Sequence, residues 1–219
     1  AEDAALLALL LQERGLGGRG EDLAARLDRW TNDRSPRAGQ SRRLAERWER
    51  LALGLRQAQP EWGVKQPSAQ TPARPEPVEG CVPPLGILLA EAWPDNIARR
   101  RDPSGENWLT AGGRGLRLDP ASPLARAEWL AVGEAQGEAK GARITGAIAL
   151  TEAEVTRWLS HRIERRSTLR WVEGEGRVEA LLESRLGAIT LSRGPDPAPN
   201  PDAIRAFLID KVRSDGLGL

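Results

Sequence analysis

The stretch Trp108-Leu-Thr-Ala-Gly-Gly-Arg-Gly-Leu-Arg-Leu118 sets how the middle of the chain folds. Trp108-Leu109-Thr110 and Leu116-Arg117-Leu118 are short strand-like runs. Ala111-Gly-Gly-Arg-Gly115 between them supplies glycine where a hairpin turn needs a positive φ. Read instead as an anion nest, the same cluster misses the dinucleotide fingerprint in spacing and context, because a strand follows it rather than a helix. Arg114 on the turn is a candidate phosphate contact in either case. On either side lie further runs of the same kind. Ile97-Ala98-Arg99 precedes the hairpin, and Trp129 to Val132 and Arg143 to Leu150 follow it, separated by glycine, proline and aspartate clusters. Leu85 to Trp93 reads as a short helix ended by Pro94. Five short strands led by a helix predict a small OB-like β-barrel over 85–150.

The flanks have other periods. Residues 1–58 read as helical. Ala1 to Arg14 is rich in alanine and leucine and stops at Gly15. Glu21 to Trp30 carries Leu23, Leu27 and Trp30 on one face. Pro36 to Ala58 carries the apolar stripe Leu44, Trp48, Leu51 and Leu55. Residues 59–84 hold seven prolines and little apolar content, which predicts a linker or surface insertion. Within it, Thr71-Pro-Ala-Arg-Pro-Glu-Pro-Val-Glu-Gly80 resembles translated palindromic repeat elements, and Cys81 reads as a passenger. Residues 151–219 predict an α+β segment. Thr151 and Glu154 form a capping box, and Thr168 to Val172, Arg177 to Glu183 and Leu186 to Leu191 read as strands. Glu173-Gly-Glu-Gly176 is the turn between the first two. Asn200 and Pro201 start a final helix with Ile204, Phe207, Leu208 and Val212 on one face. The fold class is therefore multi-domain α+β.

Composition bounds the chemistry. The 219 residues carry 32 basic and 31 acidic groups, so no global field recruits a polyanion. Lysine stands only at 65, 140 and 211, so the basic residues are almost all arginine. One cysteine and one histidine leave little for a disulfide framework or a zinc site. No apolar run approaches a membrane span, the leucine-rich start lacks the basic flank of a signal peptide, and a cytoplasmic setting is expected. There is no G-x-x-x-x-G-K-[ST] loop and no G-x-S-x-G elbow. The lone His161 reads as a surface or packing residue, and the acidic pairs read as solvated. No catalytic residue and no metal ligand is assigned.

Arginine clusters are the positive signal. Arg43, Arg47 and Arg50 fall on one stripe of the third helix, where they either track phosphates or form a solvated face with Glu46 and Glu49. Arg99-Arg100-Arg101 ends the first barrel strand. Arg157, Arg162, Arg165, Arg166 and Arg170 crowd a span whose one acid is Glu164. Guanidinium forks grip phosphate regardless of base sequence. Trp93, Trp108 and Trp129 serve either as stacking platforms or as large core fillers in a chain with only one other aromatic residue type, the single Phe207.

Ala92-Trp-Pro-Asp-Asn-Ile-Ala-Arg-Arg-Arg101 resembles the A-Y-P-D-R-I-A-x-R-R segment of HrpB-type bacterial DEAH-box ATP-dependent helicases, and 108–118 resembles their L-L-A-N-G-R-G-A-R-L. Pro123 to Val132, Ala142-Arg-Ile144 and Leu186-Gly-Ala-Ile189 continue the likeness in order. Trp93, Asn96 and Gly112 depart from the family's tyrosine, arginine and asparagine; glycine and asparagine both tolerate the left-handed conformation. The resemblance implies that 1–58 is a ratchet-like helical segment and that the chain is an accessory, C-terminal part of a longer helicase. It implies motor domains in cis that bind ATP and Mg, with no cofactor and no ATPase activity in this part itself. The expected partners are single-stranded RNA or DNA and those motor domains, with no membrane, and the chain is expected to be monomeric. Arg43, Arg47, Arg50, Arg99, Arg100, Arg101 and Arg114 are the candidate nucleic-acid contacts. The competing class is a protein-interaction module that docks on the motor or another partner without touching nucleic acid.

Overall fold

The structure is a computed structural model that describes residues 1–13, 15–58, 82–138 and 141–215. The expected linker of 59–84, with Cys81, lies almost wholly outside them. The chain divides into two compact units, Ala1–His161 and Arg162–Leu219.

In the first unit the hairpin forms where the glycine cluster directs. Strands β1 (Ile97–Arg100), β2 (Asn107–Thr110), β3 (Gly115–Arg117), β4 (Trp129–Gln136) and β5 (Ala142–Leu150) close a barrel in the order β1-β2-β3-β5-β4. All pairings are antiparallel except β3 with β5, which is parallel. This is an OB-like arrangement. Strand alternation sends Ala98, Trp108, Leu116, Leu130, Val132 and Ile144 inward. The buried Trp108 indole donates Nε1–H to the Gly105 carbonyl at 2.8 Å, so this ring of the barrel core leaves no orphaned donor. In the hairpin turn the left-handed residue is Gly113, at φ +85°. Gly112 has a different job: a Cβ there would stand 3.1 Å from the Asp95 Cβ and 3.2 Å from its carbonyl oxygen.

The helices of this unit are α1 (Glu2–Gln12), α2 (Leu23–Asn32), α3 (Pro36–Ala58), α4 (Leu85–Ala92) and α5 (Glu152–Trp158). Helices α2 and α4 pack on the barrel's outer wall, α1 and α5 pack against α4, and α3 packs against α1 and α2. Helix α1 ends at Gln12, short of the expected Arg14, and Asp22 caps α2 by accepting the Ala25 N–H at 3.1 Å. A bulge after Val132 turns Gly133 toward the helices. A Cβ at Gly133 would lie 2.9 Å from Leu11, 3.2 Å from Leu23 and 3.4 Å from Leu89, so α1, α2 and α4 converge on its bare backbone. The Ala147 N–H donates to the Glu21 carbonyl at 2.8 Å, tying the entry of α2 to β5. The capping box of α5 is present, with the Thr151 N–H on Glu154 at 2.7 Å and the Glu154 N–H on Thr151 Oγ1 at 3.2 Å.

The apolar stripe of α3 is buried only in part. Ala38, Ser41 and Ala45 face the neighbouring helices, Leu44 and Trp48 are half-buried, and Leu51 and Leu55 are 59% and 69% exposed. Length explains this. At 1.5 Å per residue, α3 runs about 35 Å and its partner α1 only about 16 Å, so the last turns outrun their cover.

The second unit is a meander of β6 (Ile163–Val172), β7 (Arg177–Leu186) and β8 (Ile189–Pro195), followed by α6 (Pro201–Asp215). β6 and β7 pair over ten positions across the turn of Glu173–Gly176, and β6 begins five residues before the expected strand. Asn200 caps α6 through Oδ1, which accepts the Asp202 N–H at 2.9 Å. No helix among the described residues is long and apolar enough to cross a membrane.

Candidate nucleic-acid interface

The seven arginines singled out by sequence fall into three settings. Arg43, Arg47 and Arg50 are exposed on one side of α3. Arg43 and Arg47 line a shallow pocket with Glu13, Arg37, Gln40, Ser41 and Leu44. Arg37 is the member that sequence clustering missed. The steps Arg37, Gln40, Leu44 and Arg47 follow helical spacing, so the period of α3 already places it on that side; it stands six residues from Arg43 and so falls outside a cluster defined by near neighbours. None of Arg37, Arg43, Arg47 and Arg50 forms an ion pair with Glu46 or Glu49 among the described residues.

The triplet at the end of β1 does not act as one patch. Successive strand residues point to opposite faces. Arg99 pairs with Glu128 at 2.8 Å and lies 5.2 Å from the centroid of the buried Trp129 ring, so Trp129 is core and Arg99 its cover. Arg100 donates Nη1 to the Ala125 and Arg126 carbonyls at 3.2 and 3.3 Å, pinning β1 to the turn before β4. Arg101, just past the strand, is exposed. Arg114 is exposed on the hairpin turn, which the Thr110 hydroxyl fixes by accepting the Arg114 backbone N–H at 3.0 Å.

Arg101 opens a rigid loop. Asp102 accepts hydrogen bonds from the Ser104 hydroxyl and from the Asn107 and Glu106 N–H groups, the Asn107 bond at 2.9 Å. The Ser104 hydroxyl above all, then the contacts from Asn107 and Glu106, hold the carboxyl at about 2 instead of 3.8. Its charge stands beside Arg101 at every ordinary pH.

Of the crowded arginines of 157–170, Arg170 meets an acid that sequence proximity hid. Arg170 donates Nε to Glu179 at 2.6 Å across the β6–β7 pair, and Arg166 stands opposite Glu183. His161 is largely buried, with Nε2 3.3 Å from a Glu91 carboxylate oxygen, and no group of three or more potential metal ligands forms among the described residues.

No family model matches the chain. Among curated proteins its likeness lies with the DEAH-box helicases. The ATP-dependent RNA helicase HrpB of Escherichia coli (strain K12) is 31% identical over 137 residues, which is 62% of this chain and 17% of that protein. Two crystal structures of E. coli HrpB, described as a DExH-box NTPase and as a DEAH/RHA helicase, superpose over 99% of this chain with TM-scores of 0.67 and 0.65 at 25% and 24% identity. The chain covers only 23% and 24% of those two structures. The resemblance to HrpB-type helicases read from 92–101 and 108–118 is thus borne out, and so is the mixed α+β fold with an OB-like barrel.

Proposed function

We propose that this chain is an accessory region of an ATP-dependent helicase that guides single-stranded nucleic acid and couples its movement to ATP hydrolysis performed elsewhere. The observation that carries the reading is the likeness to HrpB along nearly the whole chain, joined to a row of exposed arginines on α3. ATP and Mg belong to motor domains that these residues do not form, since the sequence holds no phosphate-binding loop.

Each arginine setting has its own part. Arg43, Arg47 and Arg50 offer guanidinium forks along one helix side, Arg37 joins Arg43 and Arg47 at their shared pocket, and together they grip a phosphate backbone without reading its bases. Arg101 and Arg114 flank opposite ends of β2, Arg101 on the β1 side beside Asn107 and Arg114 on the β3 side beside Thr110. Arg99 and Arg100 are positioning residues, because their guanidinium groups are already engaged by Glu128 and by two carbonyls.

Charge reversal tests this. Arg43→Glu with Arg47→Glu should weaken binding of labelled single-stranded RNA by about tenfold or more at low salt. Reversal of Arg205 and Arg213, exposed on α6, serves as the control. Equal weakening by both reversals would overturn the assignment.

A protein-docking role is the second reading, and the exposed Leu51, Leu53 and Leu55 at the end of α3 favour it. Binding through that face would depend on apolar contact and hardly on salt.

A further inference from the structure

We infer that Trp93 is a stacking platform for one unpaired nucleobase, at the end of the barrel where Arg114 stands; this rests on the nucleic-acid reading above and deepens it.

The tryptophans separate cleanly by environment. Trp30, Trp108 and Trp129 are buried, and Trp48, Trp158 and Trp171 are half-buried. Three of these rings also lie beneath a cation: Trp129 under Arg99 at 5.2 Å, Trp158 under Arg157 at 5.5 Å and Trp171 under Lys211 at 5.9 Å. Trp93 alone among the described tryptophans is exposed, at 46%. A large apolar ring left in water gains free energy when a flat partner covers it.

Its backbone is fixed on both sides. The Trp93 N–H donates to the Leu89 carbonyl at 3.0 Å, closing α4, and its own carbonyl accepts the Asn96 N–H at 3.0 Å. Pro94 follows and holds the chain direction. The ring therefore hangs from an ordered Cα, and little backbone entropy is lost when a base covers it.

The neighbourhood favours a base over a phosphate at this spot. The Gly112 N–H donates to the Asp95 carbonyl at 2.9 Å and the Ala111 N–H to the Ile97 carbonyl at 2.7 Å. These bonds seat the hairpin turn, with exposed Arg114, beside residues 95–97. Asp95 is exposed as well, and its carboxylate repels phosphate from the ring. A neutral base with a π-face is accepted by Trp93, and the adjoining phosphate is drawn to Arg114. Stacking of this kind is tolerant of base identity.

The test uses the full 219-residue chain, with Trp93→Ala and Trp93→Leu variants, and reads anisotropy of a labelled oligouridylate and of its abasic counterpart at low salt. Both variants should bind the oligouridylate about five- to a hundredfold more weakly than the parent, while all three bind the abasic strand alike. Trp93→Leu keeps an apolar side chain and removes the π-face, so it reads stacking even where the alanine variant is poorly folded. Parent-like binding of the oligouridylate by Trp93→Leu would overturn the inference and leave the nucleic-acid reading standing. An equal loss on the abasic strand would overturn it too, because the ring would then act through the fold. Failure of the parent to bind either strand would overturn both.

Discussion

Arg26 on α2 faces Glu134 on β4 at 3.4 Å, and the two ends of this ion pair differ sharply in their access to water. The Arg26 side chain is 7% exposed and that of Glu134 is 32% exposed. The pair joins the helical segment to the barrel at the bulge where Gly133 admits three helices.

That asymmetry predicts unequal mutants. Glu134→Leu strands a buried guanidinium whose other contact is the Leu16 carbonyl at 3.5 Å, and should cost about 2–3 kcal/mol. Arg26→Met leaves a carboxylate that still reaches water and should cost about 1 kcal/mol. Urea unfolding of the two variants checks the order, and equal costs would contradict it.

Gly133→Ala places a methyl group 2.9 Å from Leu11, inside contact distance, with Leu23 and Leu89 close behind. The neighbours are the ends of flexible leucines, so those side chains must repack around the added methyl group. A loss of about 1–3 kcal/mol is expected from overpacking. Gly113→Ala acts by another route, strain at a φ of +85°, and should cost about 1–2 kcal/mol with no effect on helix packing. Thermal unfolding measures the loss in each, and near-UV circular dichroism separates them.

The Asp102 loop carries a pH signature. Its folded value of about 2 lies below the ordinary 3.8, so the stabilisation from this group is full above pH 3.8 and is lost as pH falls through about 2. A carboxyl ¹³C NMR titration should place the Asp102 midpoint near 2, and Ser104→Ala should move it upward, because the Ser104 hydroxyl is the largest cause. A parent midpoint at the ordinary value would contradict the hydrogen bonding described.

The arginines should separate into two groups under alanine substitution. Arg100→Ala unties the Ala125 and Arg126 carbonyls and should lower stability by about 1–2 kcal/mol. Arg101→Ala and Arg114→Ala should leave stability within about 0.5 kcal/mol and act on nucleic-acid binding alone. Paired unfolding and binding measurements on the three variants decide this.

Much of the fold was legible because its signals are local. The 108–118 hairpin, the Thr151–Glu154 capping box and the Asn200–Pro201 helix start each lie within a few residues, where turn and cap chemistry act. The strand order was not legible, since it depends on the parallel pairing of Leu116 and Arg117 with Ala142 and Arg143, set by closure of the whole barrel. The site was harder to read for the same reason. Glu128 engages Arg99 from 29 residues away, and the carbonyls of Ala125 and Arg126 engage Arg100 from 25 and 26 away, so a run of three arginines looked free when two were occupied. Trp93 was not separable from Trp108 and Trp129 by pattern, because exposure is decided by packing that short spacings do not encode.

The functional reading stands or falls on single-stranded nucleic acid being held on this chain through its exposed arginines. Anisotropy of a labelled single-stranded RNA tests it, titrated with the parent chain and with Arg43→Gln/Arg47→Gln over a range of salt concentrations. Log K should fall linearly with log salt, and the slope for the variant should be shallower by about 0.7 for each phosphate that it no longer neutralises. Absence of binding at low salt, or a slope that the substitutions leave unchanged, would contradict it.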